Sequence, residues 1–151
     1  MSRATARLIQ AAVCAGLLVL SGSARAEFRS VGDRPAVLYD APSPKANRVA
    51  ILSRQQPVEL VVKLDKWTKI RDSSGELAWI ENSMLTEPRH VLVTAAQAEI
   101  RSQPNAAGAV VFEAQKQVVL ERTGPSADGW VPVRHRDGAQ GFVAASQVWG
   151  E

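Results

Sequence analysis

Trp130–Val148 reads W-V-P-V-R-H-R-D-G-A-Q-G-F-V-A-A-S-Q-V, and Trp67–Leu85 reads W-T-K-I-R-D-S-S-G-E-L-A-W-I-E-N-S-M-L. Set 63 residues apart, the distance from Trp67 to Trp130, the two stretches coincide at Trp67/Trp130, Ile70/Val133, Arg71/Arg134, Gly75/Gly138, Trp79/Phe142, Ile80/Val143 and Ser83/Ser146. Self-similarity at a fixed period marks a duplicated structural unit. Within each copy, a short alternating run leads into a Gly-containing turn and a second run. That is the pattern of a β-hairpin, with glycine where the turn needs positive φ. Asp137-Gly138 is the stronger of the two turn signals.

Working upstream, Phe28–Val31, Ala36–Tyr39, Val49–Leu52 and Val58–Leu64 read as further strands. They are separated by Asp33-Arg34-Pro35, by Ala41–Asn47 with its Pro, Ser and Asn content, and by Arg54–Pro57. Asn82–Leu85 suggests one 3₁₀ turn. The second copy follows suit, with Val91–Val93, Ala98–Ile100, Val110–Phe112 and Val118–Glu121, and with Pro104 at the place of Pro42. Its loop Thr123–Gly129 is expected to be about two residues longer than its counterpart. Five short strands per unit, with turns at close spacing, predict a small barrel or sandwich. Thr86–His90 joins the copies and holds no glycine or serine, so a semi-rigid tandem is expected.

The N-terminal residues carry an export pattern. Arg3 and Arg7 precede the apolar run Leu8–Leu20, and Ala24-Arg25-Ala26 supplies an A-x-A cleavage site. The run is shorter than the roughly 20 residues a spanning helix needs. Residues 1–26 are therefore read as a signal peptide cleaved before Glu27, with no stable membrane insertion afterwards. Cys14 lies inside the apolar run and leaves with it, so the product would have no cysteine and no disulfide. Losing Arg3, Arg7 and Arg25 from the 18 basic residues leaves 15 against 15 acidic ones. With no net charge and no basic block, nucleic acid is excluded as a partner.

The paired stretches, together with L-Y-D-A-P-S and I-R-S-Q-P-N upstream, resemble bacterial SH3-like domains over nearly the whole exported chain. The resemblance implies an all-β protein of two small SH3-like five-stranded barrels in tandem, at residues 27–87 and 88–151. It also implies a periplasmic setting. Domains of this kind often bind cell-wall peptidoglycan or peptides, frequently beside a hydrolase domain that this chain lacks. Ala36–Asp40 is similar to the opening motif of eukaryotic SH3 domains, whose tyrosine lines the ligand groove, and Trp67 and Trp130 align with the groove tryptophan. Tyr39, Asp40, Trp67 and Trp130 are thus the candidate ligand-binding residues. The closing stretch departs from that pattern. Glu81 and Ala144 stand at the groove proline, Met84 and Gln147 at the groove tyrosine, and Arg101 at the counterpart of Tyr39. Those losses remove the ring faces on which a polyproline helix stacks.

Of the other aromatics, Trp79 and Phe142 are expected in the core by alternation, and Trp149 either seals the second unit or packs between the two. A catalytic reading lacks its residues. Nucleophilic catalysis needs a positioned Ser or Cys beside a base, and His90 and His135 fall in unrelated parts of the plan and are expected at the surface. No spacing of His, Cys or carboxylates suits a metal, and Glu76 and Glu81 read as solvated strand-edge charges. The expectation is a monomeric, non-catalytic, exported binding module without cofactor, acting on peptidoglycan. The alternative is a scaffold that docks on another envelope protein.

Overall fold

The computed structural model describes residues 26–87 and 89–151. The expected signal peptide falls, but for Ala26, outside the described residues, as does Pro88 of the linker. The first unit contains β1 (Glu27–Val31), β2 (Ala36–Tyr39), β3 (Arg48–Leu52), β4 (Pro57–Lys63), β5 (Trp67–Arg71), β6 (Leu77–Glu81) and β7 (Leu85–Thr86). The second contains β8 (His90–Val93), β9 (Gln97–Arg101), β10 (Val110–Gln115), β11 (Val119–Arg122), β12 (Trp130–Arg134), β13 (Gln140–Ala144) and β14 (Val148–Trp149). A 3₁₀ turn precedes the last strand of each, at Asn82–Met84 and Ala145–Gln147.

The two sheets have the same order, β3-β2-β6-β5-β4-β1-β7 and β10-β9-β13-β12-β11-β8-β14. The all-β fold class and the tandem SH3-like plan hold. Each sheet has seven strands where five were expected: all six apolar runs read from each copy form strands, and the seventh, β7 or β14, is two residues long and too short to leave an alternation signal in the sequence.

The hairpins form as their turns dictate. Gly75 (φ 93°) and Gly138 (φ 96°) sit in the left-handed region that glycine enters at little cost. Asp72 braces the first turn, its Oδ1 accepting from Ser74 N–H, Ser74 Oγ–H and Glu76 N–H. Next to each of these turns an arginine ending the fifth strand pairs with a glutamate of the fourth, Arg71 with Glu59 and Arg134 with Glu121, both at 2.7 Å. Glu59 to Glu121 is 62 residues and Arg71 to Arg134 is 63, so the second unit carries one extra residue here rather than about two.

Both cores are aliphatic. Val31, Leu38, Val58, Ile70 and Ile80 centre the first, and Val91, Ile100, Leu120, Val131, Val133 and Val143 the second. Trp79 and Phe142 are not core residues as expected; both are half-buried on the opposite face. The inward positions of those strands belong to Ala78, Ile80 and Val143. Gly141 is inward because a Cβ there would lie 2.6 Å from Ile100 Cγ2.

The units meet along β1, β4, β8 and β14. Ser30 Oγ, fully buried, accepts from His90 N–H at 2.7 Å and lies 3.0 Å from His90 Nδ1. Phe28 meets Trp149 edge to face, with ring centroids 5.0 Å apart. Trp149 therefore does both things considered for it, since β14 also pairs with β8 of its own unit. His90, expected at the surface, is buried in this seam. Gly150 closes the seam at φ 108°, where a Cβ would stand 2.7 Å from Pro57 Cβ.

Two substitutions test the seam. Ser30→Ala removes the hydroxyl that accepts from the buried His90 amide and should cost about 1–3 kcal/mol. Gly150→Ala combines positive φ with overpacking and should cost a similar ~1–3 kcal/mol. Urea unfolding of each variant measures both, and changes near zero would show that the seam is not a packed joint.

Candidate functional site

The structure brings Tyr39 and Trp67 together. Tyr39 ends β2 and Trp67 opens β5, and their rings meet edge to face at 5.2 Å and 88°. Such a pair contributes about 0.5–1.5 kcal/mol beyond its buried area. Trp67 faces away from Thr68 and Ile70, as alternation requires, and is only 9% exposed.

Beside Trp67 lies a cleft of about 540 Å³, bounded by Pro44 of the β2–β3 loop, by Asp65 and Lys66, and by Glu81, Asn82 and Ser83. Its polar groups surround an apolar wall of indole and proline. The Asp65-Lys66 side is held from below by Asn82. Asn82 Nδ2 donates to Leu64 O (2.9 Å) and Asp65 O (3.1 Å), and its Oδ1 accepts from Thr68 Oγ–H at 2.7 Å. The Asn82 backbone N–H donates to Lys66 O at 2.9 Å. Sequence reading missed Asn82. Its only trace is an amide side chain where the second copy has Ala145.

Asp40 serves the loop rather than the cleft. Its Oδ1 accepts from Asn47 N–H at 3.0 Å and its Oδ2 from Asn47 Nδ2–H at 2.8 Å, tying the ends of the β2–β3 loop together. In the second unit Asn105 does similar work, accepting from Ala107 and Gly108 N–H.

Trp130, the fourth candidate, is half-buried in the second unit, apart from the other three. Arg101 takes the tyrosine's place there, donating from Nη1 to Gly108 O at 2.7 Å and pairing with Glu99. Val131 and Ala145 replace Thr68 and Asn82, and only the backbone bond survives, from Ala145 N–H to Gly129 O at 2.8 Å. The aromatic pair and its polar support are thus features of the first unit.

A second cleft, of about 490 Å³, includes Glu27, Arg29, Lys63 and Glu87. Its charges satisfy one another: Lys63–Glu27 at 2.7 Å, Arg29–Glu27 at 3.4 Å and Arg29–Glu87 at 3.3 Å. The hydrogen bond from Lys63 holds the Glu27 carboxyl below its ordinary range. At the second distal turn the Ala139 amide, and then His135, do the same for Asp137. His135 contacts Asp137 and the Phe112 ring. Among the described residues, no group of three or more His, Cys, Asp or Glu could hold a metal ion, and no helix is long and apolar enough to cross a membrane.

The chain belongs to the bacterial SH3 domain family, which it matches twice, at residues 32–87 and 94–150. Domains of this family are generally non-catalytic binding modules. No curated protein matches the chain. Among solved structures it is similar to NlpC1 from Trichomonas vaginalis, at 16% identity and a TM-score of 0.39, over 87% of this chain and 48% of that one. NlpC2 from the same organism is 14% identical with a TM-score of 0.38, over 84% and 49%. An NlpC/P60 family protein from Bacillus cereus ATCC 10987 is 16% identical with a TM-score of 0.37, over 82% and 56%. The chain thus spans about half the length of these structures.

Asn82→Ala should loosen the Leu64–Lys66 loop while leaving the core strands intact. Amide hydrogen exchange should speed up at Asp65 and Lys66, with about 1–3 kcal/mol lost in global stability. Unchanged exchange in the loop would show that the amide side chain does not hold it.

Proposed function

We propose that the chain is a non-catalytic module that binds cell-wall peptidoglycan outside the cytoplasm, after removal of residues 1–26, through the first unit's cleft. The observation that carries this reading is the braced cleft beside the Tyr39–Trp67 pair. Peptidoglycan combines sugar hydroxyls and amides with peptide amine and carboxylate groups. Asp65 and Glu81 supply acceptors for hydroxyl and amine donors, Lys66 a partner for carboxylate, and Trp67 with Pro44 an apolar wall. Pre-formed clefts of this kind, mostly apolar with a few placed polar groups, are the usual form of ligand sites. Asn82 lowers the ordering cost of binding by fixing one wall in advance. The export pattern and the family membership support the same reading.

The departures at Glu81 and Met84 argue against proline-rich peptide as the ligand. Met84, half-buried, packs against the first core and offers no ring face for a polyproline helix.

The purified chain should sediment with isolated sacculi. Tyr39→Ala should weaken that binding by about tenfold, equivalent to ~1.4 kcal/mol, and Arg101→Ala should leave it unchanged. Recovery of the wild-type chain wholly in the supernatant would contradict wall binding.

A further inference from the structure

The outermost strand of the first sheet is built differently from its twin. β3 pairs on one side only, with β2, and forms the sheet's edge, as β10 does in the second unit through β9. In the second unit the inward position opposite Ile100 is Phe112, whose ring packs against the core and meets His135. In the first, the position opposite Leu38 is Ala50, which is exposed. An inward-facing residue that stays exposed means that the strand's inner face is not covered by its own unit. Ile51, on the outer face, is 71% exposed, and Val49, at the register shift, is 53% exposed. Natural sheets blunt such edges with lysine, proline or inward charge. β3 has Arg48 and a register shift at its opening end, and Ala50–Leu52 beyond them carries no charge and no proline.

Charge identifies what covers it. Residues 33–56 hold Arg34, Lys45, Arg48 and Arg54 against Asp33 and Asp40, while the matching residues 95–118 hold two basic and two acidic side chains. All four cations are exposed, and none makes an ion pair among the described residues. Asp40 is committed to Asn47. Arg34 and Arg54 flank one end of β3, where Ala36 opposes Leu52, and Lys45 and Arg48 flank the other. A second copy pairing through the same strand would therefore set cations against cations in either direction.

We infer that β3 is a docking edge for an extended segment of another protein, in which apolar and acidic residues alternate. The segment adds a strand to the sheet. Its main chain pairs with the free edge of β3, its apolar side chains cover Ala50 on one face, and its carboxylates meet Arg48 and Arg54. Strand addition draws affinity from main-chain bonds and specificity from alternate side chains. This edge adjoins the Trp67 cleft, since Arg48 lies opposite Tyr39 in the ladder, but strand addition along β3 does not depend on wall binding.

The test uses a short labelled peptide alternating valine and glutamate, followed by fluorescence anisotropy and amide hydrogen exchange. The peptide should bind, slow exchange across residues 48–52 and leave residues 110–115 unchanged. Arg48→Glu combined with Arg54→Glu should weaken binding by about tenfold or more. Ala50→Phe, which supplies the ring that the second unit carries, should weaken it as well. Equal stability by urea unfolding confirms that these variants remain folded; a variant that unfolds is replaced by Arg48→Gln with Arg54→Gln, which should show the same loss. Absence of binding overturns the inference. So does equal binding of a valine–lysine peptide, protection at residues 65–67 and 81–83 in place of β3, or protection of β3 by self-association without peptide.

Discussion

The buried hydroxyl of Ser30 is where the molecule's two halves become one. It lies in the opening strand of the first unit and accepts the amide of His90, which begins the opening strand of the second. Around it the Phe28–Trp149 contact and the tight approach of Gly150 to Pro57 pack the two units together. The need for such a joint follows from size. A unit of about 60 residues buries only about 60% of its unfolded surface and is marginal alone. The described residues contain no cysteine to staple either unit. Each buried core is made of Val, Leu, Ile and Ala, so the aromatic side chains other than Phe112, which packs against the second core, remain for seams and surfaces.

With both cores and both hairpins retained, the copies diverge at the sheet faces and edges. Tyr39 faces Arg101, Thr68 faces Val131, Asn82 faces Ala145, and Ala50 faces Phe112 across the repeat. At two of these places the second unit closes itself with its own side chains: Arg101 bonds to Gly108, and Phe112 covers its edge strand. At all four the first unit keeps an open ring, a braced loop or an uncovered strand.

The sequence made the fold legible because the repeat samples it twice. Gly75 and Gly138 occupy equivalent turns, and agreement between copies fixes the hairpin registers. What it hid has physical reasons. Leu77-Ala78-Trp79-Ile80 is apolar throughout, and alternation misleads where the largest ring is taken as the inward one; Glu81, in phase with Trp79, marks that face as the outer one. His90 looked like a linker residue because burial at a seam depends on how two units dock, which no local pattern encodes. Tyr39 and Trp67 were legible as candidates from their types and places. Asn82 was not, since its role depends on carbonyls that a loop turns toward it.

The proposal that the first unit's cleft is the binding surface is tested most directly by an NMR titration of the isotope-labelled chain with soluble peptidoglycan fragments. Shifts are expected to concentrate at Tyr39, at Asp65–Trp67 and at Glu81–Ser83, with the second unit silent. Shifts centred on Arg101 and Trp130, or none at saturating fragment, would contradict it.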